Sequence, residues 1–225
     1  ARIGVVFSNR DPGEAEGSDQ FFSLVHGYGL PLVTLSSAKF RRARGGPFAD
    51  HRAEFDGQVM DLLSGYALDI CVLAGYMLIV SGAVCRTYSL LNLHPAPPDG
   101  PIGTWQEVIW QLIRTRAART GAMVHLATED VDRGPVVSYF TVPITGGAFA
   151  PHWGELDRQD PGRVKTQWSE DLPLFQLIRR AEYEREPYLL FETLRAVAEG
   201  HVILNEGRVL DRGGRPLSLT ASGGL

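Results

Sequence analysis

Leu90-Leu91-Asn92-Leu93-His94-Pro95-Ala96-Pro97-Pro98 reads as a buried strand that stops abruptly on polar residues. Leu90–Leu93 is an apolar run broken by one amide. A strand's period of two places Asn92 and His94 on the same face, at its carboxyl end. Pro95 stops the strand, because its ring fixes φ and removes a backbone donor. Open α/β sheets bind ligands beyond the carboxyl ends of their strands, so chemistry is expected here. An amide donor beside a titratable imidazole can hold an oxyanion and move a proton. The plainer alternative is a capped strand end with a structural Asn and His.

Outward from this strand, further short apolar runs occur at Arg2–Ser8, Pro31–Leu35 and Asp69–Ala74. Ala122–Thr128 and Pro135–Val142 flank the turn Glu129–Gly134. Helical spacing appears in Gln20–Tyr28 and in His51–Leu63, where Phe55, Val59, Met60 and Leu63 share a face. It recurs in Thr104–Arg116 through Trp105, Val108, Ile109, Leu112 and Ile113. Unbroken apolar strands alternating with helices predict an α/β fold, a Rossmann-like open, mostly parallel sheet with helices on both faces.

The basic segment Lys39–Arg44 leads into Gly45-Gly46 and reads as a surface loop. Thr145–Glu170 reads as a long loop. A long amphipathic helix is expected over Asp171–Glu199, broken or kinked at Pro187. HVILNEGRVL, starting at His201, reads as a hairpin, and Thr220–Leu225 is expected to fray. The domain reading is therefore residues 1–200, with 201–225 adding a hairpin and tail to the same domain.

The 225 residues are 44% apolar with a formal charge of −4, which excludes disorder and a global basic field for nucleic acid. The longest apolar stretch, Ile70–Cys85, is sixteen residues and is interrupted by Gly75, Ser81 and Gly82. That is short of the roughly 18–20 needed to span a bilayer, so no membrane association is expected. Two cysteines, Cys71 and Cys85, make no disulfide framework, and a cytoplasmic location is expected. No Gly-rich phosphate loop, H-E-x-x-H or G-x-S-x-G pattern occurs, so neither a nucleotide nor a metal is expected.

The second informative segment is Thr120–Val137, TGAMVHLATEDVDRGPVV. A strand runs into a turn carrying Glu129, Asp130 and Asp132, and a second strand follows. A carboxylate such as Asp132 can orient an imidazole and stabilise its charged form. The alternative is an acidic, solvated turn.

Taken with Val72-Leu73-Ala74-Gly75-Tyr76-Met77, these segments resemble the 10-formyltetrahydrofolate-dependent formyltransferase family, most closely its phosphoribosylglycinamide formyltransferase branch. The matching pieces are Asn92-x-His94-Pro95, then Gly121-x-x-Val124-His125, then Asp132-x-Gly134-Pro135. They stand in the family's order, and weaker similarity extends from Val5 to about Glu199. The resemblance implies a catalytic triad of Asn92, His94 and Asp132, with His94 charged and oriented by Asp132. It implies folate contacts from Met77, Leu78, Ile79 and Val80 and from Thr128, Glu129 and Asp130. It implies substrate contacts from Gly75 and Tyr76, from Arg52 to a phosphate, and from Glu182, whose alternative is a solvated helix face. His125 matches a histidine near the family's site, and a buried strand histidine explains it equally well.

The implied reaction moves a formyl group from 10-formyltetrahydrofolate to a small-molecule amine, glycinamide ribonucleotide first, without metal. The resemblance also allows a homodimer, although no sequence feature marks an interface. Two departures bear on the acceptor. Ala96-Pro97-Pro98-Asp99 stands where the family has Ser-Leu-Leu-Pro, and Gly103-Thr104-Trp105 follows. The chain also opens at what resembles the family's second strand, without the usual first strand and phosphate loop. Either those residues are missing from this sequence alone, or a different acceptor is recognised. Formyltetrahydrofolate hydrolase, a sugar-nucleotide amine formyltransferase and a non-catalytic folate-binding paralogue are the alternatives.

Overall fold

The computed structural model describes residues 2–157 and 169–217. The chain divides into two compact units, Ala1–Leu90 and Leu91–Leu225.

In the first unit, β1 (Val6–Ser8) pairs in parallel with β2 (Leu32–Thr34), joined through helix α1 (Glu16–Gly27). Gly29, at φ 65°, turns the chain out of α1 in a backbone region that glycine enters without strain. The basic segment is helical rather than a loop: α2 covers Ser37–Arg44. Ser36 caps it by accepting from the Lys39 N–H at 3.0 Å, and Phe40 anchors it in the core. Sequence alone missed it because four cations in eight residues hide the single buried anchor.

Helix α3 (Phe48–Leu63) places Phe55, Val59 and Leu63 against Phe40. Phe40, Phe48 and Phe55 meet edge-to-face with centroids 5.2–6.3 Å apart. Strand β3 (Cys71–Leu73) and helix α4 (Gly82–Thr87) divide the apolar stretch 70–85 into strand, loop and helix, as its glycines and serine predict.

The second unit is built on the antiparallel strands β4 (Leu90–His94), β5 (Arg119–Leu126) and β6 (Val136–Pro143). The α/β class therefore stands, and its pairing is mixed. The short turn after Leu126 returns the chain beside β5, which makes β6 antiparallel. Helix α5 (Trp105–Arg114) begins at a capping box in which Thr104 and Glu107 satisfy each other's backbone N–H. Its apolar face, Val108, Ile109, Leu112 and Ile113, is buried with Leu174, Phe175 and Ile178 of α7 (Pro173–Tyr183).

The segment read as one loop from Thr145 contains helix α6 (Ala150–Leu156). Trp153 Nε1 donates to Ile144 O at 2.6 Å and Leu156 is buried, and these contacts hold a helix that its Gly and Pro content conceals. The rest of that reading, at 158–168, lies outside the described residues, as does the tail read as frayed at 220–225. The long helix is two: α7 and α8 (Glu186–Ala198), with Pro187 in the first turn of the second, where a missing N–H costs nothing. The hairpin is present as β7 (Val202–Asn205) and β8 (Arg208–Asp211). Among the described residues no helix is long and apolar enough to cross a membrane.

Candidate active site

Asn92, His94, His125 and Asp132 converge at the carboxyl end of β4. Antiparallel pairing sets Asn92 opposite His125 and His94 opposite Met123. A register shift between Val124 and His125 on β5 lies beside the site, a place where bulges commonly re-aim a side chain. Asp132 enters from the β5–β6 turn with φ 56°, in the left-handed region that Asn and Asp tolerate best. That turn is closed by Leu126 N–H donating to Pro135 O at 2.9 Å and Arg133 N–H donating to Asp130 O at 3.1 Å.

The hydrogen-bond pattern assigns the protons. His125 Nδ1 is 3.2 Å from Leu126 O, an acceptor only, so that nitrogen carries the hydrogen. In the neutral ring Nε2 is then an acceptor, and Asn92 Nδ2 donates to it at 3.0 Å. The same amide donates to Asp132 Oδ1 at 3.3 Å. His94 Nε2 donates to Pro101 O at 2.9 Å, and its Nδ1 faces Asp132 Oδ2 at 3.5 Å.

Electrostatics revise the expected charge on His94. The side chain is 3% exposed, and burial pushes its pKa below the ordinary 6.5 despite Pro101 O and Asp132, with His125 adding to the fall. Burial thus works against the imidazolium expected from the resemblance, while the acceptors facing both ring nitrogens, Pro101 O and Asp132 Oδ2, work for it. Burial pulls the Asp132 carboxyl upward, but contacts with His125, His94 and the Gly103 backbone together hold it below its ordinary 3.8. Asp132 is an anion throughout the physiological range. The oriented amide and imidazole N–H groups at this strand end suit stabilisation of charge developing on a carbonyl oxygen, and the Asp132 anion beside them suits acceptance of a proton.

Of the other residues singled out in the second unit, Thr128 Oγ1 donates to Asp130 O at 3.2 Å, and Glu129 and Asp130 are exposed at the turn. Glu182, expected to touch substrate or lie on a solvated helix face, is 0% exposed. It accepts a short hydrogen bond from Thr120 Oγ1, and its Oε2, 3.7 Å from Arg179 Nη1, has no hydrogen-bond partner. Burial pushes it up to about 8 against the opposing pull of Thr120 and Arg179. The helix is amphipathic, as its periodicity predicts, and Glu182 falls on the inner face.

The remaining residues lie in the first unit. Arg52 on α3 is half-buried, and its Nε has no hydrogen-bond partner. Gly75 takes φ 68°. The Tyr76 ring meets Phe7 at 6.3 Å, and burial, then Asp56, pushes its phenol up. Met77 is 65% and Ile79 47% exposed, while Leu78 packs in the core and Val80 is half-buried. Sequence reasoning did not find Pro101 and Gly103 beside the triad. The only signal for them was the departure from the family pattern after Pro95.

Residues 24–148 match the formyl transferase family. The chain is 32% identical over 176 residues to phosphoribosylglycinamide formyltransferase of Escherichia coli, covering 76% of this chain and 71% of that protein. It is 33% identical over 149 residues to the human trifunctional purine biosynthetic protein adenosine-3, covering 65% of this chain and 13% of that much longer protein. In three dimensions it resembles glycinamide ribonucleotide transformylase 1 of Symbiobacterium toebii, with a TM-score of 0.63 and 24% identity, over 96% of this chain and 81% of that one.

Proposed function

Because the chain belongs to the formyl transferase family, we propose that it transfers the formyl group of 10-formyltetrahydrofolate to the amine of glycinamide ribonucleotide. The observation that carries this reading is the convergence of Asn92, His94 and anionic Asp132 at the end of β4.

The neutral amine attacks the formyl carbon, a carbon–nitrogen bond forms, and the formyl oxygen gains negative charge. Asn92 Nδ2 and His94 Nε2 are the donors for that oxygen, each giving up a present acceptor, Asp132 Oδ1 or Pro101 O, to take it. Charge-assisted hydrogen bonds are roughly twice as strong as neutral ones, so both tighten as charge develops. Collapse breaks the bond to N10 of the folate. A water held at Asp132 carries the proton lost by the amine to that leaving nitrogen. The steps balance: the carbon–nitrogen bond formed replaces the one broken, and the amine's proton ends on N10.

The other assignments remain part of the proposal. The 128–130 turn contacts the pterin, and Met77 and Ile79 of the first unit are assigned to it by the resemblance alone. The assignment of Arg52 to a phosphate rests on the resemblance, since its unpartnered Nε is buried. The test is incubation with 10-formyltetrahydrofolate, with and without glycinamide ribonucleotide, following the folate product. Release only with the amine supports the proposal. Release without it identifies a hydrolase, and binding without release a folate-binding paralogue. Transfer only to a sugar-nucleotide amine would keep the chemistry and change the acceptor.

A further inference from the structure

Neither donor required by the proposed reaction has a hydrogen to spare. An amide NH2 carries two hydrogens and a neutral imidazole one. The two on Asn92 Nδ2 go to His125 Nε2 and Asp132 Oδ1, and the one on His94 Nε2 goes to Pro101 O. Asp132 and His125 sit on the hairpin that builds the site. Pro101 does not: it belongs to the connection between β4 and α5.

That connection is stiff and tied at both ends. Pro95, Pro97, Pro98 and Pro101 fix φ at four of its positions. Ala96 is buried at 1% exposure. Gly100 N–H donates to Pro97 O at 2.8 Å, and a Cβ on Gly100 would stand 2.7 Å from that of Ala96. At the far end, Gly103 takes φ 128°, its backbone bears on Asp132, and Thr104 locks into the capping box of α5.

We propose that residues 96–103 form a strap whose Pro101 carbonyl occupies the oxyanion position in the resting protein and must release His94 Nε2 before the formyl oxygen takes its place. What replaces the carbonyl rests on the formyl-transfer reading; that the strap covers His94 rests on geometry alone. The exchange has a chemical consequence. A neutral formyl oxygen accepts no better than the Pro101 carbonyl, whereas the oxyanion accepts more strongly. Ground-state binding therefore gains little from opening the strap, and the reacting state gains more, which is the differential that accelerates a reaction. Apparent affinity for the folate is reduced by the fraction of protein in which the strap is closed.

The test loosens the strap in two ways, Pro101→Gly and Pro98→Gly, the second sparing the residue that carries the carbonyl. Circular dichroism first establishes which variants fold. His94 is acylated with diethyl pyrocarbonate in the ligand-free protein, its modification is located by peptide mass spectrometry, and the other histidines serve as internal reference. His94 should react on the order of tenfold faster in a folded variant than in the unaltered protein, because local opening exposes it. An unchanged rate in a folded variant overturns the strap.

In the unaltered protein, hydrogen exchange at Ile102 and Gly103 should accelerate when 10-formyltetrahydrofolate and glycinamide ribonucleotide are added together. Slower exchange there overturns the proposal even if both variants fail to fold. In the transfer assay the variants should show a KM for the folate lowered by about threefold, as expected for a larger competent fraction, with kcat retained. A fall in kcat at unchanged KM would make the Pro101 carbonyl a positioning group and overturn its role as a plug. If calorimetry detects no folate binding by any form, the formyl-transfer reading falls, and the acylation rates alone decide whether the strap covers His94.

Discussion

Asn92 lies directly opposite His125 across the β4–β5 ladder, and its side-chain amide donates to the His125 ring at 3.0 Å. The partnership is fixed from both sides, since His125 Nδ1 is committed to Leu126 O. His125 thereby holds the amide that the proposed reaction aims at the formyl oxygen. Replacing His125 with Leu removes that acceptor and leaves Leu126 O without its donor, for a stability loss of about 1–3 kcal/mol. Formyl transfer should slow by roughly tenfold or more through misorientation of Asn92. Steady-state kinetics check this: kcat falls with little change in the KM for the folate. An unaltered kcat would reduce His125 to a packing residue.

Asp132 combines a left-handed backbone with three polar neighbours, and the two can be separated by choice of substitution. Asn tolerates φ near 56° about as well as Asp, so Asp132→Asn should fold with nearly unchanged Tm. It nevertheless loses the anion that faces His94 and that accepts from Asn92. Formyl transfer should drop on the order of 100- to 1,000-fold, within the range typical of losing a group that handles the proton in the reacting state. His94→Ala should do the same. Calorimetry should still detect folate binding in both. Turnover near that of the unaltered protein in either variant contradicts the site assignment.

The pH dependence of transfer follows from the lowered pKa of His94. Burial lowers its folded pKa below the ordinary 6.5, so the ring sheds its proton before neutrality. Once the amine's own ionisation is accounted for, kcat/KM should rise with pH through that lowered value and then level off. Stability carries the same sign. It is fully present above 6.5, where His94 is neutral in both states, and is lost as pH falls through the folded value. A rate that declines as pH rises through 6.5 would restore the imidazolium mechanism.

Much of this site was legible in the sequence because its parts sit on short, strongly patterned segments. Period two alone put Asn92 and His94 on one face, and Pro95 marked the strand end. The pairing that brings Asp132 forty residues along the chain to Asn92 was reachable only through the resemblance, since spacing says nothing about register across a ladder. For Glu182 the alternative of a solvated helix face fails for a different reason. Charged residues on amphipathic helices ordinarily face water, and it takes Thr120 on β5 and Arg179 one turn earlier to make its burial tolerable. The Pro101 contact is a backbone carbonyl, for which side-chain identity carries no signal.

Glu182 gives a stability prediction with the sign opposite to that of His94. Its folded pKa is about 8 against an ordinary 4.5, so the fold retains a proton that the unfolded chain releases. The stability contribution is complete below 4.5, falls as pH rises towards about 8, and is flat above that. At about 1.4 kcal/mol per pH unit, the loss across this window reaches several kcal/mol. Glu182→Gln imitates the protonated acid, so the variant should match the unaltered protein at acid pH. At alkaline pH it should exceed it in Tm, on the order of 5 °C or more. Thermal melts of both proteins across this range decide it. Parallel curves would mean that Glu182 keeps its charge inside the fold.

Gly134 links the fold of the hairpin to the chemistry of the site. A Cβ on it would come within 1.7 Å of Leu126 O and 3.2 Å of the Thr128 methyl group, so no side chain fits while β5 and the turn keep their places. The constraint is the close approach of two backbones, one of them holding the strand that carries His125. Gly134→Ala must push the turn outward, at an overpacking cost of typically 1–3 kcal/mol. Asp132, two residues earlier, moves with it. The denaturant midpoint should fall and formyl transfer should fall further than stability explains, because a displacement of about 1 Å at a catalytic group can cost on the order of 100-fold. Gly13→Ala is the control for alanine substitution itself: its Cβ would meet nothing within 4 Å, while its φ of 83° still strains the backbone. A loss of stability equal in the two variants, with transfer by Gly134→Ala intact, would show that the hairpin absorbs the methyl group without moving Asp132.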